Sequence, residues 1–456
     1  MSELVAVILA AGKGTRMRSK MPKVLHKVGG KAMLQHVIDA ATAAGAKEKV
    51  VIVGHEAELV EGLVAGQGKI ALQAEQLGTG HAVMQTKEAL KDFQGTAMIL
   101  CGDTPLLEGE ELAKFYAAHK ASGAAATVLT AVMDKPFGYG RIVRDAAGNV
   151  QGIVEEKDAT AEQKLIKEIN TGIYCIECPL MFDILATLTC DNAQGEYYLT
   201  DVLAKLNEAG QKVGGVVTDD SDMVMGINSR QQLAVAEGVM RQRILAKLMD
   251  AGVTIMDPAS TFIEASVKIG ADTIIYPYTW LEGSTEIGED CEIGPNARFT
   301  NVKIGRGCHL QFIYGHDCQV CDEVTAGPYV HLRPDTVLSN HVKIGNFVEV
   351  KNSNVGEGTK LPHLLYIGDS DIGARVNMGC GCITVNYDGK KKHRTVIEDD
   401  AFVGCNTNLV APVTVRKGSY VGAGSTITKE VPENALGICR AKQRNIEGWA
   451  EKQRQK

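Results

Sequence analysis

At 456 residues the chain exceeds one ordinary hydrophobic core, so two or more domains are expected, each able to bury its own apolar interior. Hydrophobic residues make up 45 % and charged residues 23 %, a globular balance, and no apolar run approaches the roughly 18 residues that a bilayer span requires, which argues against a membrane protein. A net charge of −7 argues against a general nucleic-acid binder, although a few local Lys and Arg side chains suffice to hold small anions.

The apolar stretch Val5 to Ala11 has no basic leader and runs into a Gly/Lys/Arg loop, so it reads as a buried strand and not as a signal segment. The 12 cysteines, in a chain without a secretion signal, then point to reduced thiols in a cytoplasm. Cys175/Cys178 and Cys318/Cys321 have Cys-x-x-Cys spacing, but without a matching His pair nearby they are expected to be small buried hydrophobes, not zinc half-sites.

From residue 1 to 228 apolar strands such as VAVILAA, KVVIVG and AMILCGD alternate with helical stretches such as Lys31 to Ala44 and Gly80 to Ala89. That alternation predicts an α/β domain on a largely parallel sheet. Within it, Gly12-Lys13-Gly14-Thr15-Arg16-Met17 follows a strand and precedes Pro22-Lys23. Glycine-freed backbone N–H groups can curl round a triphosphate there, with Lys13, Arg16 and Lys23 supplying positive charge. The spacing is neither that of a P-loop nor that of a dinucleotide fold. Asp103, at the end of the strand AMILCGD, is placed to ligate Mg²⁺ in the crevice; the competing role is a cap on a helix beginning after Pro105.

Residues 229 to 250 form the expected linker helix, with Leu233, Ala236, Met240, Ile244 and Leu248 on one face. From 251 to 456 the texture changes. An aliphatic residue followed by Gly recurs at Ile269, Ile287, Ile293, Ile304, Ile344, Val355, Ile367, Ile372, Val403 and Val421, with many intervals of 6, 12 or 18. Such spacing predicts a parallel β-helix whose sides are short strands with the aliphatics stacked inward. Intervals of 11 and 5, and the 40-residue gap before Ile344, predict distorted or looped-out corners. Stacked coils alone would serve equally as a rigid spacer. Arg333, Lys351, His363, Tyr366 and Asn377 interrupt the ladder with chemistry that a spacer does not need. An insertion from Asn386 to Lys392 follows, and the basic tail from Lys442 to Lys456 is expected to be a solvated face.

GxGTRM followed by Pro-Lys resembles the sugar-nucleotide pyrophosphorylase family. With QAEQLGTGHA, GYGRI, GIVEEKDA, EINTGIY, NAQGEYYLTD and GIN, nearly the whole chain is similar to the bifunctional UDP-N-acetylglucosamine pyrophosphorylase/glucosamine-1-phosphate N-acetyltransferase family. The resemblance implies a Rossmann-like nucleotidyltransferase domain, a left-handed β-helix acetyltransferase domain, a homotrimer, and a product destined for cell-wall polymers. It assigns uridine to Leu9, Ala10, Gly12, Gln73, Gly78 and Thr79, phosphate to Lys23, the acetylated sugar to Gly140, Glu155, Asn170 and Thr171, and Mg²⁺ to Asp103 and Asn228. In the second half it assigns the sugar phosphate to Arg333, Lys351, Tyr366, Asn377 and Lys392, proton removal to His363, and acetyl-CoA to Cys380, Asn386, Tyr387, Cys405, Ala423 and Arg440.

The chain departs from the family's usual pattern in three places. Cys101 replaces a frequent Tyr, the loop reads GCGCITVNYDG where GAGTITCNYDG is common, and Cys405 replaces Ser. Cysteine is a poor hydrogen-bond donor, so Cys405 is not expected to hold an oxyanion. Alkylation of Cys380 or Cys405 is expected to impair acetylation, with CoA protecting. Two other readings stand beside the bifunctional one: a nucleotidyltransferase with a regulatory β-helix, and a non-catalytic scaffold resembling an exchange factor.

Overall fold

A computed structural model describes residues 3–54 and 56–455. Its contacts divide the chain into two compact units, Met1–Met240 and Arg241–Lys456. The division falls inside the single long helix Arg230–Asp250. Ala236 of that helix is buried in the first unit's packing, and Leu245 belongs to the core of the second.

Seven strands carry the first unit's main sheet: β1 Glu3–Leu9, β2 Glu48–Val53, β3 Lys69–Leu72, β4 Gly95–Cys101, β5 Ala126–Val132, β6 Glu168–Glu177 and β7 Val213–Thr218. They lie in the order β7-β5-β6-β4-β1-β2-β3. The pairs β1/β2, β1/β4, β2/β3 and β5/β7 are parallel, as the alternating pattern predicts. β6 runs antiparallel to both β4 and β5. The reason lies in its connection: between β5 and β6 the chain forms an antiparallel hairpin, Arg141–Arg144 with Val150–Val154, and a short 3₁₀ turn, so no crossover helix returns it to the same edge. The expected helix Lys31 to Ala44 forms as Met33–Ala43, with Lys31–Ala32 in a small hairpin. The one expected at Gly80 to Ala89 spans Thr79–Met84. Beyond it the bonds tighten to i−3 spacing, and the Thr86 hydroxyl donates to the Val83 carbonyl at 2.7 Å.

The second unit is a parallel β-helix with three inward ladders. One runs Ile263, Leu281, Phe299, Gly315, Leu332, Val350, Ile367. The next runs Ile269, Ile287, Ile304, Val320, Leu338, Val355, Ile372, Ile397, Val415. The third includes Ile275, Ile293, Leu310, Ala326, Ile344 and Leu361. Their buried aliphatic and aromatic side chains form one continuous core, with Ile269 partly buried against it.

The 40-residue gap before Ile344 is not a looped-out corner. The coils continue through Val320 and Leu338, followed by Cys321 and Ser339 in place of Gly, so the motif lapses while the inward aliphatic persists. Ile304 lies opposite Ile287, 17 residues on, so the irregular interval reflects a coil one residue short of 18. Corners are turned by left-handed residues, including Phe312, Tyr329, Phe347 and Leu364.

Candidate active sites

A cleft opens at the carboxyl ends of β1 and β4, where Leu9 and Cys101 are neighbours, the place where open α/β sheets bind ligands. It has a volume of about 280 Å³ and is lined by Leu9, Ala10, Gly12, Lys23, Gln73, Gly78, Thr79 and Asp103. The residues expected to hold uridine, together with Lys23 and Asp103, thus line one cavity. Gln76, Cys101 and Glu196 also line it, and only the folded chain shows that.

Local backbone explains the loop. Gly14 has φ +56°, and a Cβ there would lie 2.6 Å from the Lys23 Cβ, so glycine is required for the loop to close on the lysine. Gly78 has φ +107° and packs against Tyr197, where a Cβ would meet the carbonyl oxygen at 2.6 Å. Gly80 N–H donates to Tyr197 O at 2.8 Å, and Leu199 N–H donates to Thr79 Oγ1 at 3.1 Å. These bonds bring NAQGEYYLTD against QAEQLGTG. The Gln73 amide nitrogen donates to Gly78 O at 3.0 Å and lies 3.2 Å from His81 Nδ1, which leaves the carbonyl oxygen as the group available to accept from a ligand.

The Lys23 ammonium is ion-paired with Asp103 and donates to Asn228 Oδ1 at 3.0 Å. Asp103 therefore does not cap a helix. The next helix starts at Gly109, with Glu108 at its N-cap, and Ile227 N–H donates to Asp103 O at 2.9 Å, drawing the GIN segment to the strand end. One carboxylate and one amide oxygen converging on a cation form a hard, oxygen-rich pair. Such a pair fits Mg²⁺, which keeps waters and phosphate oxygens as its remaining ligands. Burial, aided by the Asp103 charge, pushes the Cys101 thiol up to about 12, so it is a neutral lining group. Burial and then Asp103 also raise Tyr139, the tyrosine of the GYGRI segment.

Beside this cleft, Gly140 O accepts from Asn170 N–H at 2.9 Å, and a Cβ on Gly140 would lie 3.6 Å from Glu155 Oε1. Gly140, Glu155 and Asn170 are thus together. Burial first, and the Asp158 and Asp201 carboxylates next, raise Glu155 above the usual range. The Thr171 hydroxyl is turned inward, donating to Leu129 O at 2.7 Å, so that side chain is a structural link.

On the β-helix, Arg333, Lys351 and Gly368 occupy one column of successive coils. Lys351 is held below the usual lysine range by Lys392 beside it, by burial and by Arg333, against the opposing pull of Asp369, so three cations crowd one place. Arg333 bonds Glu349 at 2.8 Å.

Asp369, absent from the sequence reading, is the centre of the group. It is buried, accepts from Asn352 Nδ2 at 2.5 Å and from Asn386, and lies 3.8 Å from Lys351 Nζ. Burial opposes its ionisation, yet the hydrogen bonds from Asn352 and Asn386 and the charges of Lys351 and Lys392 hold it below the usual carboxylate range. The Asn386 amide also reaches Tyr366 Oη at 3.4 Å. The signal that could have found Asp369 was its place immediately after the Gly368 that pairs with Lys351, visible only once the register is known.

A second column runs alongside. His363, Cys380, Cys405 and Ala423 take equivalent corner positions on four successive coils, since neighbouring strands pair at offsets of 17, 25 and 18 residues. His363 is exposed and makes no side-chain hydrogen bond among the described residues. Arg440 reaches the far end, donating to Ala423 O at 2.8 Å. Among the described residues Asn377 makes no side-chain hydrogen bond to the cation group; it pairs in register with Lys360 and Phe402. Tyr387 is exposed on the inserted loop, its hydroxyl donating to Gly389 O at 2.8 Å.

The nucleotidyl transferase family model matches residues 5–255, and the hexapeptide repeat of succinyl-transferase matches residues 285–311 and 394–429. A protein of Geobacillus sp. (strain WCH70) named "Bifunctional protein GlmU" is 53 % identical over 447 residues, 98 % of this chain and 97 % of its own. The chain belongs to the bifunctional GlmU family. Proteins of the same name from Caldanaerobacter subterraneus subsp. tengcongensis, at 53 % identity, and Clostridioides difficile, at 50 %, each align over 99 % of the chain and 98 % of their own length. A solved UDP-glucose pyrophosphorylase in complex with UDP-glucose covers 53 % of the chain at 16 % identity and a TM-score of 0.44, too distant to add to that assignment. GlmU membership covers both halves, so the two columns and the nucleotide cleft all lie within the matched length. None of the cysteines is paired in a disulfide, and no helix among the described residues is long and apolar enough to cross a membrane.

Proposed function

We propose that the chain acetylates glucosamine 1-phosphate from acetyl-CoA and then joins the N-acetylglucosamine 1-phosphate to UTP, giving UDP-N-acetylglucosamine and pyrophosphate. One observation carries the bifunctional reading: each unit gathers its own anion-holding cluster, Lys23 with Asp103 and Asn228 in the first, and Arg333, Lys351 and Lys392 around Asp369 in the second, where the strand that ends just before Asp369 also carries His363. Intact clusters in both halves disfavour the scaffold and regulatory readings.

In the first site Lys23 and the backbone of the glycine loop hold the triphosphate, while the Gln73 carbonyl and Leu9 to Gly12 contact the uridine. Gly140, Glu155 and Asn170 orient the sugar so that its phosphate oxygen lies in line with the α-phosphorus. Asp103 and Asn228 would hold Mg²⁺, which would supply positive charge to offset that on the phosphates.

In the second site Arg333, Lys351 and Lys392 neutralise the sugar phosphate, with Tyr366 closing over it. The His363 imidazole takes the proton from the attacking amine. Acetyl-CoA lies along the column from His363 to Ala423, its phosphates toward Arg440, with Asn386 and Tyr387 at its side. Cys405 and Cys380 line its path.

The chain acts in the cytoplasm as a homotrimer built on left-handed β-helices. Supporting this, Tyr278, Tyr329, Phe347 and Leu364, at 63, 57, 52 and 56 % exposure, present an apolar row along one corner, with Tyr329 and Phe347 stacked at 5.1 Å. Phe347→Asp should release monomers in sedimentation; an unchanged trimer would place the interface elsewhere.

The function is tested by assaying both half-reactions in wild type, Asp103→Ala and His363→Ala. Each substitution should silence one reaction and spare the other. Wild-type protein that consumes neither UTP nor acetyl-CoA overturns the reading.

A further inference from the structure

We propose that Cys380 and Cys405 are a modification site for coenzyme A: presented with CoA disulfide, the acetyl site captures CoA as a mixed disulfide that blocks acetyl transfer. This inference rests on the reading that acetyl-CoA lies along the His363 to Ala423 column.

The placement of the two thiols is what suggests it. Cys380 is one coil beyond His363 and Cys405 is one coil further. Successive coils are about 4.8 Å apart, so the backbone positions of both cysteines lie within about 10 Å of that of His363 along the column. Neither is a core residue. Cys405 is exposed and Cys380 half-buried, whereas Cys382, two residues from Cys380, is fully buried with its thiol donating to Gly404 O at 3.1 Å. The inward thiol serves packing, while the outward pair faces the column. A passive lining needs no thiol here, since Ala423 holds the equivalent position one coil beyond Cys405. Every acetyl transfer frees the sulfur of CoA beside His363, so the site presents that sulfur's binding position directly to Cys380.

The chemistry closes without a further reagent. A thiolate of Cys380 or Cys405 attacks one sulfur of CoA disulfide. The reagent's S–S bond breaks, a protein–S–S–CoA bond forms, and the electron pair departs on the second CoA as its thiolate, which takes up the proton lost by the cysteine. The protein sulfur is oxidised and one CoA sulfur is reduced. Because the nucleotide end of the reagent is first held by the acetyl-CoA site, the exchange is intramolecular and favours CoA disulfide over a disulfide lacking that handle. The attached CoA then occupies the position of acetyl-CoA until a thiol reductant removes it.

The test treats full-length protein with CoA disulfide or with glutathione disulfide at equal concentration, and reads intact mass, peptide maps and both activities. The expected result is one CoA adduct on Cys380 or Cys405, forming about tenfold faster or more than the glutathione adduct, as local concentration at a bound site dictates. Acetyl transfer should fall with adduct formation, UDP-sugar formation should persist, and dithiothreitol should restore the first. Acetyl-CoA should protect, and Cys380→Ala/Cys405→Ser should take up no CoA at these positions. Equal rates for the two disulfides, an adduct confined to Cys190 or Cys439, or a direct Cys380–Cys405 disulfide overturns the inference. Peptide maps of wild type decide this even where the double variant folds poorly. Untreated protein that does not acetylate glucosamine 1-phosphate defeats the underlying reading; normal acetylation without the adduct defeats this inference alone.

Discussion

The Lys23 ammonium is paired with the Asp103 carboxylate across 80 residues of chain, and the same ammonium reaches Asn228 across 205. One cation therefore ties the loop before the first helix to the end of β4 and to the segment that enters the long helix. Lys23→Met should reduce UDP-sugar formation about a hundredfold or more, the scale of losing one electrostatic stabiliser. Pyrophosphate release measures this, acetyl transfer should be unchanged, and circular dichroism should show a folded chain. Retention of near-wild-type rates would remove Lys23 from the reaction.

Arg230 acts through other residues. Its Nε donates to Met17 O at 3.2 Å and its Nη1 lies 3.4 Å from His26 Nδ1, bracing the glycine loop on one side and the turn that carries Lys23 on the other. Arg230→Met should raise the KM for UTP about fivefold, the factor that roughly 1 kcal/mol of lost hydrogen bonding represents, with a smaller change in kcat. A fall in kcat at constant KM would contradict this bracing role.

Gly368 makes room for the Tyr366 ring. A Cβ at 368 would stand 2.5 Å from Tyr366 Oη and 2.6 Å from Asn386 Nδ2. Gly368→Ala should displace one or both and raise the KM for glucosamine 1-phosphate, on the scale of about tenfold for loss of a well-placed contact. UTP consumption should be unaffected, which separates local displacement from general unfolding.

Asp369 gives the acetyl half a pH signature. Its folded pKa is depressed, so the stability it contributes is present above the unfolded carboxyl value of about 3.9 and is lost as pH falls through the lower folded value. Between neutral pH and about pH 5 its contribution should be constant. Below about pH 4 the melting temperature of the β-helix should drop, and Asp369→Asn should make that drop shallower. Thermal melts followed by circular dichroism over this range check it; equal slopes in wild type and variant would count against it.

Much of this was legible in the residues because the causes are local. An inward aliphatic every six residues specifies the coil, and it persists at Val320 and Leu338 even where the following Gly does not. Gly14 is a glycine for a local reason, because its left-handed turn meets Lys23 and excludes a side chain. The antiparallel β6 escaped the alternating pattern because strand direction depends on the connection, a short hairpin and turn, and not on the strand's own composition.

The sequence by itself determined the two textures, the glycine loop, and the residue types available for anion and proton chemistry. Only tertiary structure decided which of them meet. His363, Cys380, Cys405 and Ala423 are separated by 17, 25 and 18 residues, so no fixed period aligns them; the insertion between Asn386 and Lys392 lengthens one coil, and backbone pairing restores the register. Asp369 likewise became the partner of Lys351 and Asn386 through burial and coil stacking. Hydrogen-bonded register converts unequal chain lengths into equal steps in space, and that conversion is a property of the fold, which spacing along the chain does not record.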